Sequence, residues 1–169
     1  MDTGLLLARL IIGLALAAHG SQKLFGWFGG YGIKGTGGWM ESLGYKPGAA
    51  FALAAGLGEL GGGLLMALGL LGAVGPALIV MVMLVAIFSV HVKNGFWASN
   101  NGWELNAMIV AGSIALAFSG PGAYSLDSAL GIALFTAVKS VWLVLAAAVI
   151  LAILNLLVRR PAPAAPPAS

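Results

Sequence analysis

Residues 5–25, LLLARLIIGLALAAHGSQKLF, form an apolar run long enough to cross a bilayer as a helix, with Arg9 inside it and His19 near its far end. A charge held in hydrocarbon is costly unless it is paired or turned toward protein. The rest of the chain must therefore supply helices that wall Arg9 and His19 off from lipid. It has the material: of 169 residues, 60% are hydrophobic and only 8% charged, and the mean hydropathy is +1.02. A soluble domain carries about a quarter charged residues, so this chain has too little polar surface to cover a water-soluble globule. No basic run points to nucleic acid. Cysteine is absent, which excludes disulfides, iron–sulfur ligation and thiol redox chemistry within the chain. Any redox role must use a bound cofactor or the groups of a partner.

The chain divides into apolar spans and turn-rich joints. The first span, about residues 4–21, reads as a membrane helix rather than a cleaved signal, because its flank Met1-Asp2-Thr3 carries no basic residue. A glycine-rich segment follows, residues 26–44, with Trp27, Phe28, Tyr31 and Trp39; aromatics beside glycines at a span's end fit a headgroup-level loop. Within it a short surface helix is expected from Thr36 through Leu43. Gly30 to Gly35 spells GxGxxG, but a dinucleotide site needs a strand before that motif and a helix after it. A membrane helix precedes it here, so a flexible interfacial loop is the reading.

Pro47-Gly48 opens the second span, about residues 49–71, which places Glu59 roughly 15 Å deep at the helical rise. The third span, 76–92, ends at His91. The fourth, 104–119, is short. A turn-rich exit, Gly120-Pro121-Gly122, leads to a short apolar stretch at 128–137, expected to be a helix on the lumenal membrane surface. The fifth span, 140–158, is closed by Arg159-Arg160 and followed by PAPAAPPAS, which is expected to be extended. Gly13 with Ala17 and Gly58 with Gly62 form small-residue pairs of the kind that let helices approach closely in lipid. No internal repeat is evident, and broken helices in paired halves, which a transporter would show, are not apparent.

Lys23, Lys34, Lys46, Lys93, Arg159 and Arg160 all fall on one side of a five-span chain, against Lys139 on the other. The positive-inside rule then places the N-terminus outside and the C-terminus in the cytoplasm. Arg9 and Glu59 lie on antiparallel spans, and counting inward from their shared loop puts both near mid-depth. The expectation is a buried ion pair that fixes helix rotation, with a proton or substrate site as the functional alternative. His19 and His91 sit toward the lysine-rich end. They fit interfacial histidines bonded to loop backbone, ligands to a quinone head group, or axial ligands of a haem or other metal. Glu104 opens a helix, where a carboxylate is favoured on electrostatic grounds alone. Asp127 and Ser125 suit turn or cap positions. No zinc-ligand spacing, catalytic triad order or phosphate loop is present.

Arg9, His19-Gly20, Lys23-Leu24, Glu59-Leu60-Gly61-Gly62, His91, Asn94-Gly95-Phe96, Gly102-Trp103-Glu104, Gly120-Pro121-Gly122 and Ser125-Leu126-Asp127 together resemble the DoxX family of small bacterial and archaeal membrane proteins, over about residues 4–130. The resemblance implies a four-helix membrane bundle. It also implies a link with membrane redox systems, including subunits of quinone-linked oxidoreductases. The fifth span and proline-rich tail are additions to that core. The expected fold is thus an all-α transmembrane helical bundle: a DoxX-like four-helix domain over 1–137, an added membrane helix over 138–160, and a disordered Pro/Ala tail over 161–169. The expected function is a subunit of, or accessory to, a quinone-linked redox complex of the bacterial inner membrane. In that reading His19, Lys23, His91 and Glu104 hold a quinone or small redox substrate near one membrane face, above an Arg9–Glu59 pair, with Asp127 a further polar position. Expected partners are lipid and other membrane subunits, and no metal site is predicted. The alternative is a non-catalytic structural subunit of a larger membrane assembly.

Overall fold

The structure, a computed structural model, describes residues 2–160; the tail PAPAAPPAS, with its expected extended form, lies outside the described residues. The chain is helical, with α1 (Asp2–Phe25), α2 (Gly32–Ser42), α3 (Gly48–Leu68), α4 (Val74–Ala86), α5 (Glu104–Ser119), α6 (Leu126–Leu130) and α7 (Val138–Leu157). A π-helical turn, Ile87–His91, and a short 3-10 turn, Val92–Asn94, extend α4. α1, α3, α4 with its extension, and α7 are long and apolar enough to cross a membrane, whereas α5 is shorter at 16 residues. The chain is a multi-pass membrane bundle.

Small residues set the central packing. α1 and α3 run antiparallel and meet backbone to backbone. A β-carbon added at Gly13 would lie 2.6 Å from the Gly63 carbonyl oxygen and 2.7 Å from the Ala67 nitrogen. One at Gly20 would collide with the Leu60 amide and come within 2.7 Å of the Gly56 oxygen. α3 meets α4 in the same way, where a β-carbon on Gly75 would sit 2.6 Å from the Met66 nitrogen. Without a hydrophobic force between helices in lipid, such close approach is what drives their association. Leu16, Met66, Ile79, Val82, Met83 and Leu116 fill the space between α1, α3, α4 and α5. Large apolar side chains such as Leu7, Ile11, Leu57, Trp142 and Ile150 remain on the outer surface, where lipid replaces water.

The fifth span docks on this same bundle. Val141, Leu145 and Ala148 of α7 pack with Ala73, Ala77 and Val80 of the α4 region and Ala117 of α5. Beyond the helix, Arg159 Nε donates to the Leu43 carbonyl at 2.6 Å and the Arg160 amide donates to the Gly44 carbonyl at 2.9 Å. These bonds tie the end of α7 to the end of α2, so the basic tail and the lysine-rich loop share one end of the bundle.

Three segments depart from the sequence reading. α1 continues four residues past the expected end at Ser21, to Phe25. The glycine-rich segment is helical from Gly32 rather than from Thr36, and Thr36 is buried inside α2 instead of capping it. The glycines that suggested a loop serve contact instead: a β-carbon on Gly37 would press on the Ala49 backbone at 3.0 Å. The 128–137 stretch is helical only at its start, because Gly131 takes a left-handed conformation (φ 65°) that ends α6.

Replacing Gly20 by Val is expected to destabilise the bundle by about 1–3 kcal/mol through forced separation of α1 and α3. Gly4→Val, where a β-carbon meets nothing within 4 Å, serves as the control. Thermal unfolding in detergent checks this, and equal losses at the two positions would show that the close approach is not what matters.

Candidate functional site

At the lysine-rich end, α1, α2, α3, the π-helical turn and α5 enclose a cavity of about 320 Å³ with a mainly apolar lining. Its polar groups come from four directions. Lys23, two residues before the end of α1, reaches along the bundle to Glu59 of α3, and Nζ meets Oε2 at 2.5 Å. Glu59 is 4% exposed, so a nearby cation is the arrangement that makes its charge tolerable there. The stem of Lys23 is partly exposed, and the side chain snorkels inward to the carboxylate rather than out to the headgroups.

The π-helical turn shapes the opposite wall. Inserting one residue in a helical turn re-aims the side chains that follow, and such turns are frequent at functional sites. Here Ser89 and His91 both line the cavity. Ser89 is bonded to the hydroxyl of the fully buried Tyr45 at 2.6 Å. His91 Nδ1 lies 2.8 Å from the Asn101 carbonyl oxygen. A carbonyl only accepts, so Nδ1 carries a proton and Nε2 is the ring nitrogen left free to face a ligand. Asn101 belongs to the tight loop before α5, closed by Trp103 N to Gly95 O and Glu104 N to Phe96 O. His19, exposed, also lines the cavity, as does Asn106 of α5, whose amide points to the Met83 sulfur at 3.5 Å. Lys23 and Trp39 border a second, open groove of about 570 Å³ between the end of α1 and α2.

Of the four expected substrate-binding residues, His19, Lys23 and His91 come together. Glu104 does not join them: it is absent from the lining, and its Oε2 accepts from the Ala98 amide at 2.9 Å to brace the loop. Tyr45, Ser89 and Asn106 were not singled out from sequence. An Asn inside an apolar helix was the one available signal, since intramembrane polar side chains tend to face protein.

The expected Arg9–Glu59 pair does not form. The helix contacts place Gly13 against Gly63 and Ala67, and Gly20 against Gly56 and Leu60. That register sets Glu59 level with His19 and Arg9 level with Gly69, roughly 15 Å farther along α3 by the helical rise. Counting from the shared loop went wrong because α1 does not stop at Ser21; Lys23 is thereby carried into the helix and takes Glu59. Arg9, 3% exposed, instead donates through Nη2 to the Tyr124 carbonyl at 2.5 Å, with Asp127 supplying electrostatic attraction. Asp127, 1% exposed, accepts from the Leu71 amide at 2.9 Å through one oxygen and the Gly72 amide at 2.7 Å through the other. It clasps the turn between α3 and α4, and Ser125 caps α6 by accepting from the Ser128 amide at 3.1 Å. This end is a structural plug at the opposite face from the cavity.

Among the described residues no group of three or more His, Cys, Asp or Glu is placed to hold a metal ion. A helical membrane bundle with a charged pair and two histidines around an apolar cavity at one face is the class that fold and site define. The DoxX family model matches residues 4–92, a little over half of the chain. The chain belongs to the DoxX family. The match spans α1 through the π-helical turn and so includes Arg9, His19, Lys23, Glu59 and His91; α5, α6 and α7 lie beyond it. No curated protein and no solved structure matches the chain.

Lys23→Met leaves Glu59 as a buried lone carboxylate and is expected to cost about 3 kcal/mol, the low end for a broken buried pair because Lys23 is partly exposed. Lys23→Met/Glu59→Met is expected to recover most of that loss. Unfolding midpoints of the two variants check this; a double variant as unstable as the single one would show that the ion pair is not the interaction lost.

Proposed function

We propose that this protein binds a quinone or a similar small redox substrate in the 320 Å³ cavity, as a subunit of or accessory to a quinone-linked redox system of the bacterial inner membrane. The observation that carries the reading is the convergence of Lys23–Glu59, His91 and His19 on one mainly apolar cavity. Few polar groups aimed into an apolar pocket are the usual makeup of a small-molecule site.

The polar groups suit both redox forms of such a head group. The Lys23 ammonium donates a hydrogen bond to a quinone carbonyl oxygen. His91, with Nδ1 held by Asn101, turns Nε2 to the head group as its hydrogen-bonding atom. Reduction of a quinone to a quinol takes up two electrons and two protons. The electrons come from a redox centre of a partner, since the chain has no cysteine for clusters or thiols. Lys23 and Glu59 exchange protons with the nearby membrane face. The basic residues gathered at this end support a cytoplasmic side for it under the positive-inside rule, with the N-terminus outside.

A structural-subunit reading has its own support. Several cavity groups already satisfy one another, Lys23 with Glu59, Tyr45 with Ser89 and His91 with Asn101, as a frame without a ligand would require.

Tryptophan quenching by a tailless quinone in detergent separates the two. The first reading expects saturable quenching, weakened about tenfold or more in Lys23→Met/Glu59→Met, in line with loss of a charge-assisted hydrogen bond. Lys139→Met, at the other end, should bind as the parent does. Absence of saturable binding, with His19 and His91 substitutions tolerated in a complex of fixed stoichiometry, would leave the structural reading.

A further inference from the structure

A second cavity, of about 200 Å³, lies beside the first between α3, α4 and α7. The two share Met40, Tyr45, Ala55, Val82 and Val85 in their linings. They are therefore adjoining compartments, with the Met40 and Tyr45 side chains among the groups between them. Their characters differ. The first holds Lys23, Glu59, His19 and His91; the second is walled by Phe51, Met81 and Leu151, with no charged residue and Asn155 at its α7 side.

Taken alone, neither compartment suits a lipid-soluble ligand. The second falls below the roughly 300–1,000 Å³ of ordinary ligand pockets and the first sits at the bottom of that range. Joined, they lie within it, with a polar compartment leading into an apolar one. The partition has one fixed part and one movable part. Tyr45 is locked by its bond to Ser89. Met40, unbranched and flexible, is the kind of side chain that repacks around a guest. The far wall reaches the bundle surface, since Leu151 is half exposed there.

We propose that the two cavities are one site for a tailed quinone, with the head group in the first compartment and the tail leaving through the second along α7. This rests on the head-group reading above and adds to it the substrate class, a quinone with a long apolar tail, and a role for α7. That helix lies outside the residues matched to the family model. Its end is held in place by the Arg159 and Arg160 bonds to the α2 terminus. α7 is thus a wall of the substrate site in this chain, and Leu151 and Asn155 are specificity-determining positions.

The test uses the full-length protein in one detergent and two probes with the same quinone ring, one tailless and one with a linear decyl tail. Binding is read by tryptophan quenching. The unmodified protein should bind the tailed probe about tenfold more tightly or better, from burial of several methylenes. Leu151→Trp fills the second compartment from the exposed side of α7. It should leave tailless binding unchanged and bring the tailed probe to within about twofold of it. Micelle partitioning of the tail is common to all variants, so the difference between variants reads the protein. Asn155→Phe should act alike, and stands in if Leu151→Trp fails to fold. If both variants keep the full tail advantage, the proposal is overturned while head-group binding stands. If the tailless probe does not bind the unmodified protein, the head-group reading falls and takes this one with it. If the tail advantage is absent from the start, the second compartment holds something else, such as a lipid chain, and the proposal is again overturned.

Discussion

The backbone contact between α1 and α3 sets the height at which each charged side chain finds its neighbour. Glycines at 13, 20, 56 and 63 leave no room for a relative slide, because a shift along the axis would bring side chains into the spaces that only hydrogen atoms now fill. With that register fixed, Lys23 falls within reach of Glu59 and Arg9 falls beside the turn after α3. A slip of one helical turn would separate both sets. An uncompensated carboxylate or guanidinium among apolar helices costs several kcal/mol, so the packing and the electrostatics select the same register.

The two ends of the bundle meet the same requirement in opposite ways. At the α6 end, polar side chains are spent on backbone. Asp127 takes two amides of the α3–α4 turn, Arg9 takes the Tyr124 carbonyl, and Asp2 accepts from the Ala123 amide at 3.0 Å. These bonds link distant parts of the chain and leave little open volume, about 10 Å³ beside Arg9. At the α2 end, two side-chain pairs, Lys23 with Glu59 and Tyr45 with Ser89, border a void, and the backbone there is irregular: a π-helical turn, three 3-10 turns and a glycine-bearing loop. Regular packing has been given up where the cavity lies. That contrast, more than any one residue, distinguishes the end suited to a ligand from the end that closes the fold.

Most of the architecture was legible because lipid imposes a simple pattern. Apolar runs bounded by Pro, Gly and basic residues mark the four long helices and the shorter α5, and the alternation of loop sides alone gathers His19, Lys23 and His91 at one end. What could not be read was register. Two helices of known direction still slide, and the four added residues of α1 together with the offset set by its glycine contacts on α3 changed Glu59's partner from Arg9 to Lys23. The reach of a lysine stem adds to the problem, since its charge sits far from its backbone position. Glu104 was misplaced for a related reason: being near an end does not say whether a side chain faces the cavity or its own loop. Tyr45, Ser89 and Asn106 carry no spacing signature, and only the π-helical turn and the fold of α2 bring the first two together. The first turn of α2 was hidden by its glycines, which weaken a helix in isolation, while Gly37, inside the expected helix, admits the backbone of α3.

α7 changes the meaning of the site as well as its shape. Without it, the face of α3 and α4 around Phe51, Met81 and Val85 would border lipid directly, and an apolar tail leaving the cavity would meet no protein. With it, that face becomes one side of a compartment that opens to the bundle surface beside Leu151. The helix is held at one end by small-residue packing of Ala148 and Val141 against the α4 region and at the other by Arg159 and Arg160 on the α2 terminus. It is the α2 terminus that also supplies Met40 and, just beyond, Tyr45 to the partition between compartments. The added helix and the partition between the compartments are thus anchored on the same short stretch of chain, residues 40–45.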